Sequence, residues 1–215
     1  MYDIEIKNAA ILDGLGNEPY QGNIYVKDGR IVVITHEDTY DASVSLDASG
    51  KIVTPGFIDL HTHSDISFLL DSTAQSKIRQ GVTLELIGNC GLSLCAPLIG
   101  DARDMFDTWV SDHTDSYNPT WTDYAGYIEA SRKSKATLNI AFQIGHASLR
   151  LAVMGQDDRS PTADELTEMK RLAGESLDAG ALGFSTGLFY APGYYARTDE
   201  VIAIAEEAGK RNKLY

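Results

Sequence analysis

Short apolar runs that end in polar or glycine residues are the feature that most constrains how this chain folds. Four such runs alternate with segments of helical periodicity after residue 55, and each is as short as a buried strand. Strands that alternate with helices predict right-handed βαβ units and a parallel sheet. The predicted strands are residues 57–60, 82–87, 138–144 and 181–184.

Four segments have the spacing or the capping residues of helices. In the clearest of them, Thr162 and Glu165 are placed to form a capping box, and Gly180 follows as a C-terminal cap. We expect the last of them to begin at a Thr198 cap. Residues 101–119 show no clear period and predict an insertion or a long loop. The predicted helices are residues 73–80, 121–133, 162–179 and 198–210.

The first part of the sequence is typical of a small β domain. Short alternating runs predict strands, and residues 27–29, Lys-Asp-Gly, have the composition of a hairpin turn between two of them. The character of the sequence changes at Pro55 and Gly56. We therefore predict a small antiparallel β-sandwich domain in residues 1–55 and the βα units in residues 56–215. The strands predicted in the first domain are residues 3–7, 23–27 and 30–34.

Charge and length limit the partners and the size of the fold. The 18 basic and 31 acidic side chains give a formal net charge of −13, which disfavours binding to nucleic acid or to an anionic membrane surface. With two cysteines, no long uncharged apolar run and no signal-like N-terminus, we expect a cytoplasmic protein. The 215 residues are too few for a complete eight-stranded α/β barrel of roughly 250 residues. The oligomeric state is left open.

The ends of the predicted strands carry residues suited to chemistry, since the carboxyl ends of parallel strands meet at one edge of a sheet. His61 and His63 follow the first strand two residues apart, a spacing that points both imidazoles to one side of an extended segment. Cys90 lies between glycines after the second strand and would share a rim with them. Imidazole and thiolate suit zinc, so these three residues are the predicted metal ligands. The alternatives are a solvated pair of histidines and an inert buried cysteine.

Two further residues at strand ends are candidates for the site. His146 ends the third predicted strand and is predicted either to line a pocket or to anchor a loop by hydrogen bonding, and Tyr190 either contacts a substrate or packs its loop down. We interpret Cys95 as a core cysteine, and His36 and His113 as surface residues. Because the sequence has no G-x-S-x-G elbow, P-loop or G-x-G-x-x-G motif, serine hydrolase, nucleoside triphosphatase and dinucleotide-dependent functions have no support.

Several segments carry a resemblance that covers the whole chain. The general one is PGFIDLHTH, and the more specific ones are Gly-Asn-Cys-Gly, a Gly-His pair and ALGFSTGL, at residues 55–63, 88–91, 145–146 and 181–188. At these segments the sequence resembles the N-terminal portion of the amidohydrolase superfamily, and within it the N-acyl-D-amino-acid deacylase, or D-aminoacylase, family.

This resemblance implies a TIM-like (β/α) barrel of the metal-dependent amidohydrolase type, of which this chain holds the first four βα units. It implies a zinc-dependent hydrolase that cleaves the amide of a small molecule, an N-acyl-D-amino acid, to a D-amino acid and a carboxylate. It makes His61 and His63 ligands of one metal position and Cys90 the thiolate ligand of a tightly bound zinc, with a second, weaker site left open. We take Tyr190 and His146 as the substrate-binding residues.

The resemblance also separates the possible activities. Hydantoinase and dihydroorotase relatives use a carboxylated lysine at a strand end, whereas this chain has Cys90, which favours the deacylases. The family's catalytic aspartate follows the eighth strand, and this chain reaches Tyr215 where the fifth strand would begin, so we expect no catalytic residue within it. The alternatives are a cyclic-amide hydrolase of the hydantoinase or dihydroorotase type, and an inactive fragment that lacks the catalytic half.

Overall fold

The structure, a computed structural model, describes residues 1–37, 40–93, 96–111 and 118–215. Within them the chain divides into two compact units, Met1–Gly56 and Phe57–Tyr215. Cys95 and His113 lie outside the described residues, so what was expected of them stays a prediction. His36 is exposed, as predicted.

The first unit is a mixed sheet. Among the described residues its strands are β1 (Tyr2–Ile11), β2 (Tyr20–Lys27), β3 (Arg30–Thr35), β4 (Ala42–Asp47) and β5 (Ile52–Val53). The order is β3-β2-β1-β4, with β5 also paired to β1. The β2–β3 hairpin is antiparallel, and Asp28 and Gly29 at its turn have φ of 51° and 71°, as a two-residue hairpin loop requires.

The described strands of this unit form one sheet, in which β1 and β2 are antiparallel but β4 and β5 both run parallel to β1. The predicted antiparallel direction is therefore wrong for β4 and β5, and the sandwich stays a prediction. The physical reason is that β4 joins β1 on the side away from β2, so no tight turn sets its direction. The alternating pattern in the sequence marks strands, but it does not say which of them pair.

The second unit contains a parallel sheet. Its strands, in the order of both the sheet and the chain, are β6 (Phe57–Asp59), β7 (Val82–Ile87), β8 (Asn139–Gly145) and β9 (Gly183–Ser185). Each begins and ends within two residues of a predicted strand. Beside β9, Leu214 pairs in parallel with Gly183. Because the strands are parallel, their carboxyl ends lie at one edge of the sheet, and the candidate residues follow them.

Helices connect these strands. The described residues contain α1 (Ser67–Leu70), α2 (Gln75–Ile78), α3 (Asp101–Ser111), α4 (Tyr124–Ser134), α5 (His146–Met154), α6 (Ala163–Asp178) and α7 (Thr198–Lys210). Helix α3 contradicts the prediction of a loop over residues 101–119, because Ala102, Phe106 and Val110 are spaced four apart and form a buried stripe. Helix α7 has the predicted bounds, but its N-cap is Arg197, and no side-chain hydrogen bond caps it in the described part of the chain. Across the same ranges, no helix combines the length and apolar character needed to cross a lipid bilayer.

Helix α6 confirms the predicted capping box. The backbone N–H of Glu165 donates to Oγ1 of Thr162 at 3.2 Å, and the N–H of Thr162 donates to Oε2 of Glu165 at 2.7 Å. Met169, Leu172 and Leu177 of this helix are buried in the main apolar core of the second unit. The core therefore fixes the helices against the sheet and leaves the strand ends for polar side chains.

Candidate metal centre

His61, His63 and Cys90 meet where β6 and β7 end. A nitrogen of each imidazole and the thiol sulfur all lie within 4.8 Å of one another. Nε2 of His61 lies 3.1 Å from Sγ of Cys90, and the centroids of the two imidazole rings are 5.6 Å apart. Both histidines are exposed and Cys90 is half-buried, so the cluster is open to solvent.

A tight turn after β7 presents Cys90. Gly88, Cys90 and Gly91 have φ of 78°, 56° and 74°, a region that glycine adopts readily and other residues rarely. A Cβ on Gly88 would lie 2.1 Å from the backbone oxygen of Gln143. A Cβ on Gly91 would lie 2.7 Å from the backbone nitrogen of Gly187. The two glycines therefore let the turn lie directly against β8 and the loop after β9.

Polar contacts, rather than strand alternation, hold the segment that carries the histidines. Strand β6 ends at Asp59, so His61 and His63 both lie beyond it. Oδ1 of Asp59 accepts the backbone N–H of His61 at 3.2 Å. Thr62, between the histidines, is buried, and its Oγ1 lies 2.8 Å from Oγ of Ser64. The imidazoles converge, as their two-residue spacing predicts, but local hydrogen bonding is the cause.

A lysine that the sequence analysis did not single out links this segment to β7. Nζ of Lys77 lies 2.7 Å from Oδ2 of Asp59, 2.8 Å from Oε1 of Glu85 and 3.0 Å from Oγ1 of Thr62. Hydrogen bonds from Lys77 and from the N–H of His61 lower the pKa of Asp59. Burial by itself lowers the pKa of Lys77, but the bonds to the two carboxylates outweigh burial and raise it. Lys77 is a single charged residue in a predicted helix, and nothing in the sequence indicates that it contacts Asp59, Glu85 and Thr62.

Tyr190 lies against the Cys90 turn. Its hydroxyl donates a hydrogen bond to the backbone carbonyl of Cys90. Partial burial and the neighbouring Cys90 raise the pKa of Tyr190 to about 12, so the phenol is protonated at neutral pH. The hydrogen bond packs the loop onto the turn, while 36% of the residue's surface remains exposed beside the cluster. Contact with a substrate stays a prediction.

His146 begins helix α5 and is fully buried. Its Nε2 lies 2.7 Å from Oε1 of Glu200, and Nη1 of Arg150 donates to the two carboxylate oxygens of Glu200 at 2.9 and 2.7 Å. Burial raises the pKa of Glu200, but the hydrogen bonds from His146 and Arg150 outweigh burial and lower it. These contacts favour the loop-anchoring alternative for His146, and its contact with a substrate stays a prediction.

Glu200 is a second residue that the sequence analysis missed. It stands four residues before Ile204 and eight before Ala208, and all three are buried. This spacing places the carboxylate on the apolar stripe of α7, which is a sequence signal that a buried partner exists.

The sequence matches one family of proteins over most of its length. The model of a family described as the Amidohydrolase family matches residues 45–211. The N-acyl-D-glutamate deacylase of Alcaligenes xylosoxydans xylosoxydans is 36% identical over 214 residues, which are 99% of this chain and 43% of that protein. The chain thus spans less than half the length of this curated relative.

Two crystal structures resemble the whole chain. One is N-acyl-D-glutamate deacylase from Bordetella bronchiseptica, complexed with zinc and a phosphonate inhibitor that mimics the tetrahedral intermediate of the reaction. Its TM-score is 0.86 at 37% identity, and the match covers 99% of this chain and 44% of that one. The other is D-aminoacylase, with a TM-score of 0.91 at 33% identity, covering 100% of this chain and 44% of that one.

Proposed function

Because this chain belongs to the Amidohydrolase family, we propose that it is part of a metal-dependent hydrolase that cleaves N-acyl-D-amino acids to a D-amino acid and a carboxylate. The second unit is the first half of a TIM-type barrel of the amidohydrolase kind, as predicted. The observation that carries the proposal is the cluster of His61, His63 and Cys90 at the carboxyl ends of two adjacent barrel strands. The deacylase names of the relatives supply the substrate class.

The donor set fits zinc. Two imidazoles and a thiolate are ligands that zinc prefers, and three protein ligands leave a position for a substrate. Nitrogen and sulfur ligands of a tetrahedral zinc, at about 2.1 and 2.3 Å from the ion, lie about 3.6 Å apart. The 3.1 Å between His61 and Cys90 is the distance of a thiol–imidazole hydrogen bond. A shift of about 0.5 Å would therefore turn this hydrogen bond into a pair of ligand positions.

His61, His63 and Cys90 would hold the ion, and the chain around them prepares the site. A bound zinc polarises an amide carbonyl and lowers the pKa of a water ligand to about 7. The neutral hydroxyl of Tyr190 lies next to Cys90, where we propose that it orients the substrate. Asp59 is engaged by Lys77 and by the N–H of His61, so it is not free to accept a proton. The general base remains the aspartate that the family resemblance predicts.

The finer parts of the proposal concern metal number, partner and location. We propose one tightly bound zinc, with a second, weaker site left open, and an N-acyl amino acid as the small-molecule partner. Cys90 is a free thiol, which agrees with the cytoplasmic location predicted from the sequence. Elemental analysis of the purified protein measures the zinc-to-chain ratio, and cell fractionation measures the location. A zinc-to-chain ratio near zero would contradict the tightly bound zinc. Recovery of the protein outside the cytoplasmic fraction would contradict the proposed location.

The activity is tested on zinc-loaded protein expressed from its complete reading frame. We expect release of the free amino acid from N-acetyl-D-amino acids and much slower release from the L-enantiomers, measured by a chiral amine assay. A hydantoin and dihydroorotate, assayed side by side, test the cyclic-amide alternative. Turnover of either cyclic substrate without turnover of any N-acyl-D-amino acid would replace the proposal with that alternative.

The ligand role of Cys90 is tested with Cys90→Ser. Changes to residues that only contact zinc ligands lower zinc affinity by about 10–100-fold, so we expect loss of the thiolate itself to lower affinity by at least about 100-fold. The measurement is zinc competition with a chelator, and the matched control is Cys95→Ser, which removes the other cysteine of the chain. Equal zinc affinity in the two variants would exclude Cys90 as a ligand.

A further inference from the structure

We propose that Lys77 is a positioning residue for the metal cluster, which holds the segment of the two histidines against the strand that leads to Cys90. This inference rests on the metal site proposed above and goes beyond its ligands. It predicts that a side chain that is not a ligand tunes both the zinc affinity and the coordination geometry.

The three N–H groups of the Lys77 ammonium match three acceptors. These are Oδ2 of Asp59 at 2.7 Å, Oε1 of Glu85 at 2.8 Å and Oγ1 of Thr62 at 3.0 Å. A lysine ammonium has three donors and no acceptor, and here two hydrogen bonds and one close ion pair engage it. The side chain is 25% exposed and that of Glu85 is 2% exposed, so solvent screens their attraction only weakly.

The acceptors lie on both sides of the cluster. Asp59 stands two residues before His61, and its second carboxylate oxygen accepts the N–H of His61. Thr62 stands between the two histidines, and Glu85 lies on β7, the strand before Cys90. One ammonium group therefore ties the histidine segment to the strand whose end presents the thiol.

A second contact supports the same link. The side-chain amide of Asn89, next to Cys90, donates to the backbone carbonyls of Thr62 at 3.3 Å and of Leu86 at 2.7 Å. The hydrogen bond to Thr62 holds the turn against the histidine segment, but the amide of Asn89 carries no charge. Lys77 supplies the charge that the two carboxylates require.

Loss of the ammonium would leave two carboxylates without the cation that they share. Asp59 and Glu85 both lie within 2.8 Å of Nζ, so like charges would face each other once it is gone. The exposed end of β6 can move to relieve this repulsion, whereas Glu85 is held inside the sheet. We therefore expect the histidines to shift relative to Cys90.

The test compares Lys77→Met, Lys77→Arg and Lys133→Met in the protein from its complete reading frame. Lys133 is the matched control, since its side chain is 74% exposed and lies 3.3 Å from Glu129 on the surface of α4. We expect Lys77→Met to lower zinc affinity by about 10–100-fold, as changes behind a metal ligand do. We expect Lys77→Arg to keep part of the zinc affinity that Lys77→Met loses, and Lys133→Met to have the affinity of wild type. Chelator competition measures these affinities at a temperature where all variants are folded.

The spectrum of cobalt-substituted protein separates positioning from a general loss of stability. The thiolate-to-cobalt and d–d bands depend on which ligands bind and at what angles. We expect these bands to change in Lys77→Met and to match wild type in Lys133→Met. A Lys77→Met protein with wild-type zinc affinity and a wild-type cobalt spectrum overturns the inference.

If Lys77→Met does not fold, Glu85→Gln replaces it, because it keeps the shape of the side chain and removes one of the two shared charges. Wild-type affinity and spectrum in Glu85→Gln then overturn the inference, and a loss of affinity of tenfold or more supports it. A different result would show that the proposed metal site itself is wrong. In that case wild type and Cys90→Ser would bind zinc equally.

Discussion

Replacing Glu200 with glutamine removes one charge from a fully enclosed group of ionic contacts. Arg150 is completely buried and donates four hydrogen bonds, two to Glu200 and one each to the backbone carbonyls of Asp157 and Arg159. Glu200→Gln keeps the size of the side chain but leaves the guanidinium charge without its counterion. Removing one partner of a buried ion pair costs about 3–5 kcal/mol. Because the two backbone carbonyls remain, we expect a loss near the lower end, about 3 kcal/mol of the free energy of unfolding.

The same change predicts a pH dependence. The pKa of Glu200 is lower in the folded chain than its ordinary value of 4.5. A carboxylate of this kind stabilises the fold at pH values above its unfolded pKa, and the stabilisation disappears as the pH falls through the folded pKa. The difference between wild type and Glu200→Gln is therefore largest above about pH 5 and shrinks below about pH 4.

Urea denaturation at fixed zinc concentration measures both effects. Tryptophan fluorescence follows the second unit, since both tryptophans of the chain, Trp109 and Trp121, lie in it. Glu206→Gln is the control, because Glu206 is an exposed carboxylate on the same helix, and we expect a change within about 0.5 kcal/mol. A loss below about 1 kcal/mol for Glu200→Gln at pH 7, or one that does not change with pH, would refute the reasoning.

Two further predictions concern the turn that presents Cys90. We expect Gly88→Ala to lower the free energy of unfolding by more than about 2 kcal/mol, because alanine disfavours φ of 78° and its Cβ would overlap Gln143. The control is Gly209→Ala in helix α7, where the added Cβ meets no atom within 4 Å. We expect this control to raise the free energy of unfolding by up to about 1 kcal/mol in the same urea denaturation assay. We expect Tyr190→Phe to lower kcat/KM for the N-acyl-D-amino acid by about twofold to tenfold with zinc content unchanged, since it removes one hydroxyl beside the cluster; unchanged kcat/KM would exclude Tyr190 from substrate contact.

Much of the second unit was predictable from local patterns. Apolar runs marked the four parallel strands, and the Thr162–Glu165 spacing marked the start of α6. The Gly-Asn-Cys-Gly segment and the two histidines marked the candidate ligands, because parallel strands bring their carboxyl ends together. Each of these inferences depends on residues that are close in the sequence, or on a rule of chain topology.

Strands β4 and β5 could not be predicted in the same way, whereas α3 could have been. Its buried residues Ala102, Phe106 and Val110 are spaced four apart, with acidic residues between them, and this helical signal in the sequence was overlooked. The parallel direction of β4 and β5 depends on which side of β1 they join, and no turn in the sequence decides that side.

The sequence by itself determined the order of the four parallel strands and the identity of the three candidate ligands, because these depend on periodicity and on chemical type. Only the tertiary structure decided which charges are paired. Lys77 meets Asp59 and Glu85 across two strands, and Arg150 meets Glu200 across 50 residues. A buried charge needs an opposite charge close to it, and where the partner comes from another strand or helix, only the packed fold brings the two together.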